Sequence, residues 1–161
     1  MEAKRGRRDE SIGARWRQRD APTPLDVHAL LEAARTAASE RFLLVSTHEV
    51  YGDAAGKGPF AEDSSLHPSS PYAASKAAAD LPCLAYRCTY GVPVLIVRSA
   101  NNYGPCQFPE RLIPLMIQNA IHREQFPVYG DGAQRRDWLY VEDNIEAILQ
   151  VLQQGDRDHL L

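Results

Sequence analysis

A chain of 161 residues has the length of one domain, and 44% hydrophobic with 24% charged residues is ordinary for a globular protein. The net charge of −3 gives no general attraction to nucleic acid or acidic lipid, and no apolar run approaches the ~20 residues of a membrane-spanning helix. Three cysteines without Cys-x-x-Cys spacing and five scattered histidines predict reduced thiols in a cytoplasmic protein and no metal site.

The first 24 residues are predicted to be a disordered basic arm. Residues 1–19 carry seven basic and three acidic groups without apolar periodicity, and Pro22 and Pro24 mark the boundary that follows. A transit peptide is disfavoured by the acids. A nucleic-acid-binding tail and a spuriously translated start remain alternatives, and a solvated arm is the favoured reading.

The first regular elements are predicted to be a helix over Leu25–Ser39, where apolar residues recur at helical spacing, and a strand that starts at Phe42. The apolar run 42–45 passes into Ser46 and Thr47 and reaches a turn at Gly52. This pattern is typical of a buried parallel strand that delivers polar side chains at its carboxyl end. Open α/β sheets carry their functional groups at that edge.

The next stretch, Asp53–Ser70, is rich in Gly, Pro, Ser and acids, which indicates a surface loop or a lid over the site. A helix is then predicted from Tyr72 to Tyr90, with Gly91 as its C-terminal cap. Pro82 lies inside it. An internal proline removes one backbone hydrogen bond and costs ~3 kcal/mol, so a kink or break is expected just before it.

The second half of the chain is predicted to continue the alternation of strands and helices. A strand rich in β-branched residues leads to a loop at Asn101, and both predicted strands then open onto one crevice. The remaining predicted elements are a strand at Val92–Val97, a helix at Leu112–His122, extended segments at Phe126–Tyr129 and Trp138–Tyr140, a turn at 130–132, and a helix at Val141–Gln153 that ends before Gly155.

Tyr72 and Lys76 form a potential acid–base pair, because residues four apart share one face of a helix. An ammonium near a phenol favours the phenolate, so Lys76 is expected to lower the pKa of Tyr72 from about 10 toward the working range. The phenolate is then a proton acceptor for a sugar hydroxyl. By itself the pair is weak evidence, since a helix surface also produces this spacing by chance.

Several motifs in a fixed order give the pair a context. They are Ser46-Thr47-x-Glu49-Val50-Tyr51-Gly52, Ser70-Pro71-Tyr72-x-x-Ser75-Lys76, Asn101-Asn102-Tyr103-Gly104-Pro105, Phe108-Pro109-Glu110-Arg111-Leu112-Ile113-Pro114, Tyr129-Gly130-x-Gly132 and Arg136-Asp137-Trp138-Leu139-Tyr140-Val141-Glu142-Asp143. This series resembles the dTDP-glucose 4,6-dehydratases, NAD-dependent members of the extended short-chain dehydrogenase/reductases, over residues 25–155. Sugar-nucleotide epimerases and decarboxylases share the Tyr and Lys, whereas Glu49 and the Asn-Asn-Tyr-Gly-Pro motif favour the dehydratase branch.

The resemblance implies an α/β fold: a partial NAD(P)-binding, Rossmann-like, doubly wound parallel sheet with the start of the small substrate-binding lobe. Residues 25–100 would be the second half of the Rossmann-like domain. Residues 101–161 would start the substrate lobe and return to that domain. The family's homodimer is implied as well, formed through the helices at 25–39 and 72–90.

The same resemblance assigns roles in converting dTDP-glucose to dTDP-4-keto-6-deoxyglucose with NAD as cofactor. Tyr72 would take the C4 hydroxyl proton, with Lys76 and Thr47 supporting the phenolate, and Glu49 would remove the C5 proton. Tyr72 and Lys76 would also bind NAD. The residues implied to bind the nucleotide sugar are Thr47, Asn101, Arg111, Leu112, Tyr129 and Arg136.

Two positions depart from the family pattern. His48 stands where the general acid that protonates the departing C6 hydroxyl is normally Asp, which predicts either a working acid with a lower pH optimum or a slowed elimination step. Arg111 is usually Lys, which keeps the charge and changes the geometry.

The sequence also has no Gly-x-x-Gly-x-x-Gly loop after an amino-terminal strand, the element that holds the pyrophosphate of a dinucleotide. The chain therefore reads as truncated and is expected to be inactive alone. The alternatives are an epimerase or decarboxylase of the same superfamily, or a non-catalytic nucleotide-binding remnant that pairs with a full-length subunit.

Overall fold

The computed structural model describes residues 23–54, 58–128 and 130–155, so the predicted basic arm lies outside the described residues except for Thr23 and Pro24. The described chain alternates helices and strands. In order they are α1 (Pro24–Thr36), β1 (Phe42–Thr47), α2 (Pro71–Tyr90), β2 (Val94–Ser99), β3 (Asn101–Tyr103), α3 (Leu112–His122), β4 (Trp138–Tyr140) and α4 (Val141–Gln154), with a 3₁₀ turn at His48–Tyr51 after β1.

The central unit is the parallel pair of β1 and β2, which are aligned from Phe42 opposite Val94 to Thr47 opposite Ser99. The side chains of Leu44 and Ile96 are buried with residues of α1 and α2 in one core. The opposite face meets α4, which reaches β2 through the Ser99 hydroxyl and the Asn144 side chain, 2.8 Å apart. Helices on both faces of parallel strands confirm the predicted α/β, doubly wound class.

Helix α1 starts as its sequence suggests and ends earlier than predicted. The Thr23 hydroxyl accepts from the Asp26 amide, and the Asp26 carboxylate accepts from the Thr23 amide, which together form a capping box. The predicted end at Ser39 is wrong by three residues. Ala38 adopts a positive φ of 49°, and this left-handed residue turns the chain into β1.

Helix α2 runs from Pro71 to Tyr90 and is capped as predicted by Gly91 in the left-handed conformation, with φ of 66°. A kink or break was expected at Pro82, and the break is wrong, since the helix continues on both sides of the proline. Ala79 and Cys83 flank Pro82 and are buried in the core. Packing on this face holds the helix together across the missing hydrogen bond.

The segment after β2 differs from the prediction. Asn101 was expected in a loop, and it begins β3, which pairs in parallel with β4 from Asn101 opposite Trp138 to Tyr103 opposite Tyr140. The second strand is also shifted, beginning at Val94, because Pro93 has no amide hydrogen to donate. The Pro93 carbonyl still accepts from the Phe42 amide at 2.9 Å.

The observed limits of the last two helices agree closely with the predicted limits. Helix α3 has the predicted limits, and α4 ends one residue later than predicted. The extended segment predicted at 126–129 forms no strand over residues 126–128, and Tyr129 lies outside the described residues. Within the described residues, no helix is both long and apolar enough to cross a bilayer.

Candidate active site

The candidate catalytic residues lie where β1 ends. The Thr47 side chain is buried, and its hydroxyl accepts from the amide of Glu49 at 3.3 Å, which caps the 3₁₀ turn. Gly52 closes the turn with a φ of 85°. A Cβ there would lie 2.1 Å from the backbone oxygen of His67, so only glycine permits this close approach to the following loop.

Lys76 lies on α2 beside this turn and is buried. Its ammonium group donates to the backbone oxygen of Val45 at 2.8 Å, which ties α2 to β1. Burial lowers the pKa of Lys76, and the negative charge of Asp80 opposes that shift.

The environment of Tyr72 contradicts one expectation from the sequence. Its pKa was expected to be lowered by Lys76, but burial raises the pKa of Tyr72, and the charge of Glu49 raises it further. Arg111 acts in the opposite direction. The Lys76 ammonium donates to the Val45 carbonyl instead.

The same electrostatic interactions show which side chains lie together. The charges of Glu49 and Arg111 both act on the Tyr72 phenol, so a carboxylate and a guanidinium lie within electrostatic range of this phenol. A layout with Tyr72 and Glu49 on opposite sides of the molecule would have removed the basis of the predicted chemistry. In the structure the Tyr72 phenol instead lies within range of the Glu49 charge.

His48 is held by its ring rather than free in the crevice. Its Nδ1 lies 3.0 Å from the backbone oxygen of Ser99. A carbonyl oxygen only accepts hydrogen bonds, so Nδ1 carries a proton in this contact. Nε2 then carries a second proton only when the imidazole is cationic.

The residues predicted to bind the nucleotide sugar lie on several different elements. Arg111 is the cap residue that precedes α3, and Leu112 begins that helix. Asn101 starts β3, where its amide donates to the Asp137 oxygen at 3.2 Å. The exposed Arg136 donates to the oxygen of its neighbour Arg135, and Tyr129 lies outside the described residues.

A polar network that was not predicted from the sequence joins β2, α2 and the turn after β1. Arg98 donates to the Asp80 carboxylate and to the Tyr51 hydroxyl. Two signals were available in the sequence. Asp80 lies four residues after Lys76 on the buried face of α2, and Arg98 interrupts an apolar strand, so a buried acid and a buried base required each other.

With this arrangement established, comparison with known proteins places the chain. The profile of the NAD dependent epimerase/dehydratase family matches residues 25–160. The chain belongs to this family. Low-salt glycan biosynthesis protein Agl12 of Haloferax volcanii is 53% identical over 127 residues, which are 79% of this chain and 41% of that protein.

Two further members of the family are dTDP-glucose 4,6-dehydratases. The Haemophilus influenzae enzyme is 53% identical over 129 residues, or 80% of this chain and 38% of the enzyme. The crystal structure of the Bacillus anthracis enzyme in complex with NAD matches with a TM-score of 0.79 and 47% identity, covering 82% of this chain and 43% of that one. The chain therefore spans about two fifths of the length of its relatives.

The described residues can be tested against the cofactor that the family name implies. Tyr72 and Lys76 lie at the carboxyl edge of β1, where dinucleotides bind in doubly wound sheets, and Lys76 already contacts backbone at that edge. These two side chains suit the nicotinamide end of NAD. The 161 residues contain no glycine-rich phosphate loop for its pyrophosphate.

Proposed function

We propose that this chain carries the catalytic segment of an NAD-dependent sugar-nucleotide dehydratase that acts on dTDP-glucose. The observation that supports the proposal is that Tyr72 lies within range of the Glu49 charge, which raises the pKa of its phenol. A general base for carbon and a phenol for a hydroxyl, side by side, are what oxidation at C4 followed by elimination across C5 and C6 requires.

In this proposal Tyr72 accepts the proton of the C4 hydroxyl and Glu49 takes the proton from C5. NAD would supply the hydride acceptor at C4 and return the hydride at C6. The raised pKa of Tyr72 means that the phenolate needs help from a nearby cation. Lys76, with a pKa lowered by burial, supplies that charge if its ammonium leaves the Val45 carbonyl on substrate binding.

His48 would protonate the departing C6 hydroxyl from Nε2. Its Nδ1 contact with the Ser99 oxygen fixes the ring, so the acid form is the imidazolium. The expected outcome is either a working acid with a lower pH optimum than the family's Asp gives or a slowed elimination step.

The nucleotide sugar would be held by Thr47, Asn101, Arg111, Leu112, Tyr129 and Arg136. Arg111 has the best support, because it already acts on the Tyr72 phenol and its fork can bind phosphate oxygens in a bidentate manner. The other assignments rest on the match of their motifs to the dehydratases.

A chimera tests the proposal without requiring the other parts of the fold. Residues 25–155 of this chain replace the matching segment of the Haemophilus influenzae dehydratase, and conversion of dTDP-glucose to the 4-keto-6-deoxy sugar is measured. Activity should be present, and Tyr72→Phe or Glu49→Gln should each reduce it by about a hundredfold or more. A folded chimera without product would overturn the proposal.

The same chimera tests His48 and the alternative functions. His48→Asp should change the rate or the pH profile of the elimination, and an unchanged rate and pH profile would remove His48 from the mechanism. Product analysis separates the reactions, because only elimination yields a 4-keto-6-deoxy sugar. An epimerised or decarboxylated product would favour the related branches, and heterodimer formation without turnover would favour a remnant that pairs with a full-length subunit.

The assembly and compartment proposed for the family member are a cytoplasmic homodimer. The three cysteines are free thiols, as expected for a reducing compartment. Helices α1 and α2 expose large apolar side chains on their outer surfaces, namely Leu25, Leu30, Leu81 and Tyr90. Analytical ultracentrifugation of the chimera and of its Leu81→Glu variant would detect a dimer that depends on this face.

A further inference from the structure

Arg98 and Asp80 form a buried ion pair between β2 and α2. The Arg98 Nε lies 2.9 Å from the Asp80 Oδ2, and the two side chains are 5% and 0% exposed. Such a pair is weak evidence for stability, since the cost of desolvating both charges offsets most of their attraction. Its presence therefore calls for another explanation.

The rest of the Arg98 guanidinium reaches the turn after β1. Its Nη1 donates to the Tyr51 hydroxyl at 2.7 Å, and its central carbon lies 5.1 Å from the centre of the Tyr51 ring. The same nitrogen lies 3.4 Å from the Glu62 oxygen in the loop that follows. One planar group thus joins a strand, a helix, a turn and a loop, which a single ammonium could not do in this geometry.

The joined elements are those that carry the proposed catalytic residues. Tyr51 ends the 3₁₀ turn that contains Glu49, and Asp80 lies one helical turn beyond Lys76 on α2. Asp80 also opposes the loss of charge on Lys76 that burial favours. The network therefore connects the turn that carries Glu49 to the helix that carries Tyr72 and Lys76.

We propose that Arg98 and Asp80 are positioning residues that, through Tyr51, hold the turn carrying Glu49 at a fixed separation from the helix carrying Tyr72 and Lys76. This inference rests on the proposed function. It explains how the turn and the helix, which no covalent cross-link joins, keep their catalytic side chains at a fixed distance. Neither Arg98 nor Asp80 is assigned contact with the substrate.

The test measures the effect of Glu49 on Tyr72 in the 161-residue chain, so it needs no turnover. The chain is labelled with 3-fluorotyrosine, and ¹⁹F NMR follows the titration of the Tyr72 phenol, which is assigned by Tyr72→Phe. In the parent chain Glu49→Gln should lower the pKa of Tyr72, because it removes the charge that raises it. The shift is then measured again in Arg98→Lys and in Tyr51→Phe.

Both variants should reduce the Glu49-dependent shift to about half or less, because the interaction falls as the charges separate. Arg98→Lys keeps the positive charge and loses the fork, whereas Tyr51→Phe keeps both charges and the ring and loses only the hydroxyl. Circular dichroism confirms that each variant is folded. If Arg98→Lys does not fold, the Glu49-dependent shift in Tyr51→Phe alone tests the positioning role.

Arg35→Lys is the matched control, since Arg35 forms an ion pair with Glu32 at 2.8 Å and contacts Tyr90 at the far end of α2. It should leave the shift unchanged. An unchanged shift in folded Arg98→Lys and Tyr51→Phe would overturn the positioning role alone. No shift on Glu49→Gln in the parent chain would overturn this role and the proposed function together.

Discussion

The Glu32 carboxylate of α1 accepts hydrogen bonds from Arg35 on the same helix and from Tyr86 on α2. Arg35 donates to it at 2.8 Å and the Tyr86 hydroxyl donates at 2.5 Å. These two bonds lower the pKa of Glu32 to about 2 from 4.5. Because the folded-state pKa is the lower one, the linked stability is present above pH about 4.5 and is lost as the pH falls toward 2.

Glu32→Gln should therefore flatten the pH dependence of stability in that acidic window. The effect should be modest and should shrink in high salt, since the pair is at the surface. Urea denaturation between pH 2 and 6 measures it, with Glu146→Gln on the exposed surface of α4 as the control. Equal losses of stability on acidification in the parent chain and in Glu32→Gln would contradict the linkage.

Cys83 should be chemically inert, unlike the other two cysteines. Its side chain is 0% exposed, and burial, assisted by Asp80, raises the pKa of Cys83 to about 12. The reactive thiolate is thus scarcer than in an ordinary thiol of pKa ~8.5 by roughly a thousandfold or more. Cys88 and Cys106 are exposed.

A thiol-labelling reagent at neutral pH should thus modify Cys88 and Cys106 in the folded chain and reach Cys83 only in denaturant. The variant with Cys88→Ser and Cys106→Ser isolates the third thiol. Rapid labelling of that variant in the absence of denaturant would show that the core around Cys83 opens easily.

The motifs in the sequence proposed which residues form the site, whereas the electrostatics of those residues could not be predicted. The order of motifs pointed to Thr47, Glu49, Tyr72 and Lys76, and in the structure the Glu49 charge acts on the Tyr72 phenol. The direction of the Tyr72 pKa shift was wrong. Helical spacing fixes which side chains share a face, but not that the Lys76 ammonium binds the Val45 carbonyl.

At the scale of the elements, Pro82 is the clearest case of packing that overrides local propensity. The helix continues through it, although the proline cannot donate to the carbonyl of residue 78. Pro82→Ala restores this hydrogen bond and should raise the free energy of unfolding by about 1–3 kcal/mol.

Pro71→Ala is the matched control, because Pro71 lies at the start of α2, where the amide has no intrahelical partner in any case. It should change stability little. Thermal denaturation of both variants measures the difference. Equal effects of the two substitutions would show that helix α2 has adapted fully to its internal proline.

Element boundaries were predictable where a residue type forces them. Gly91 ends α2 as predicted, and this signal is local. Strand β3 was predicted as a loop, since three residues starting at Asn101 carry no strand pattern of their own. They form a strand only because they pair with Trp138–Tyr140. The two segments are far apart in the sequence, so a local sequence pattern cannot predict their pairing.

For the whole molecule, the described strands form two separate two-stranded sheets. Within the described ranges β1 pairs with β2 alone, and Val45 on β1 is 47% exposed. Helix α3 has no buried residue. Exposed apolar residues on a strand and on a helix are typical of a surface that packs against further polypeptide.

The isolated chain is expected to bind NAD weakly. Tyr72 and Lys76 can meet the nicotinamide end, but the 161 residues contain no glycine-rich loop to bind the pyrophosphate. Isothermal titration calorimetry should therefore give a Kd weaker than about 1 µM, a binding free energy smaller than about 8 kcal/mol. The full-length Haemophilus influenzae relative is the reference, and Lys76→Met should abolish any residual binding. A submicromolar Kd for the isolated chain would mean that residues outside the predicted crevice bind the dinucleotide.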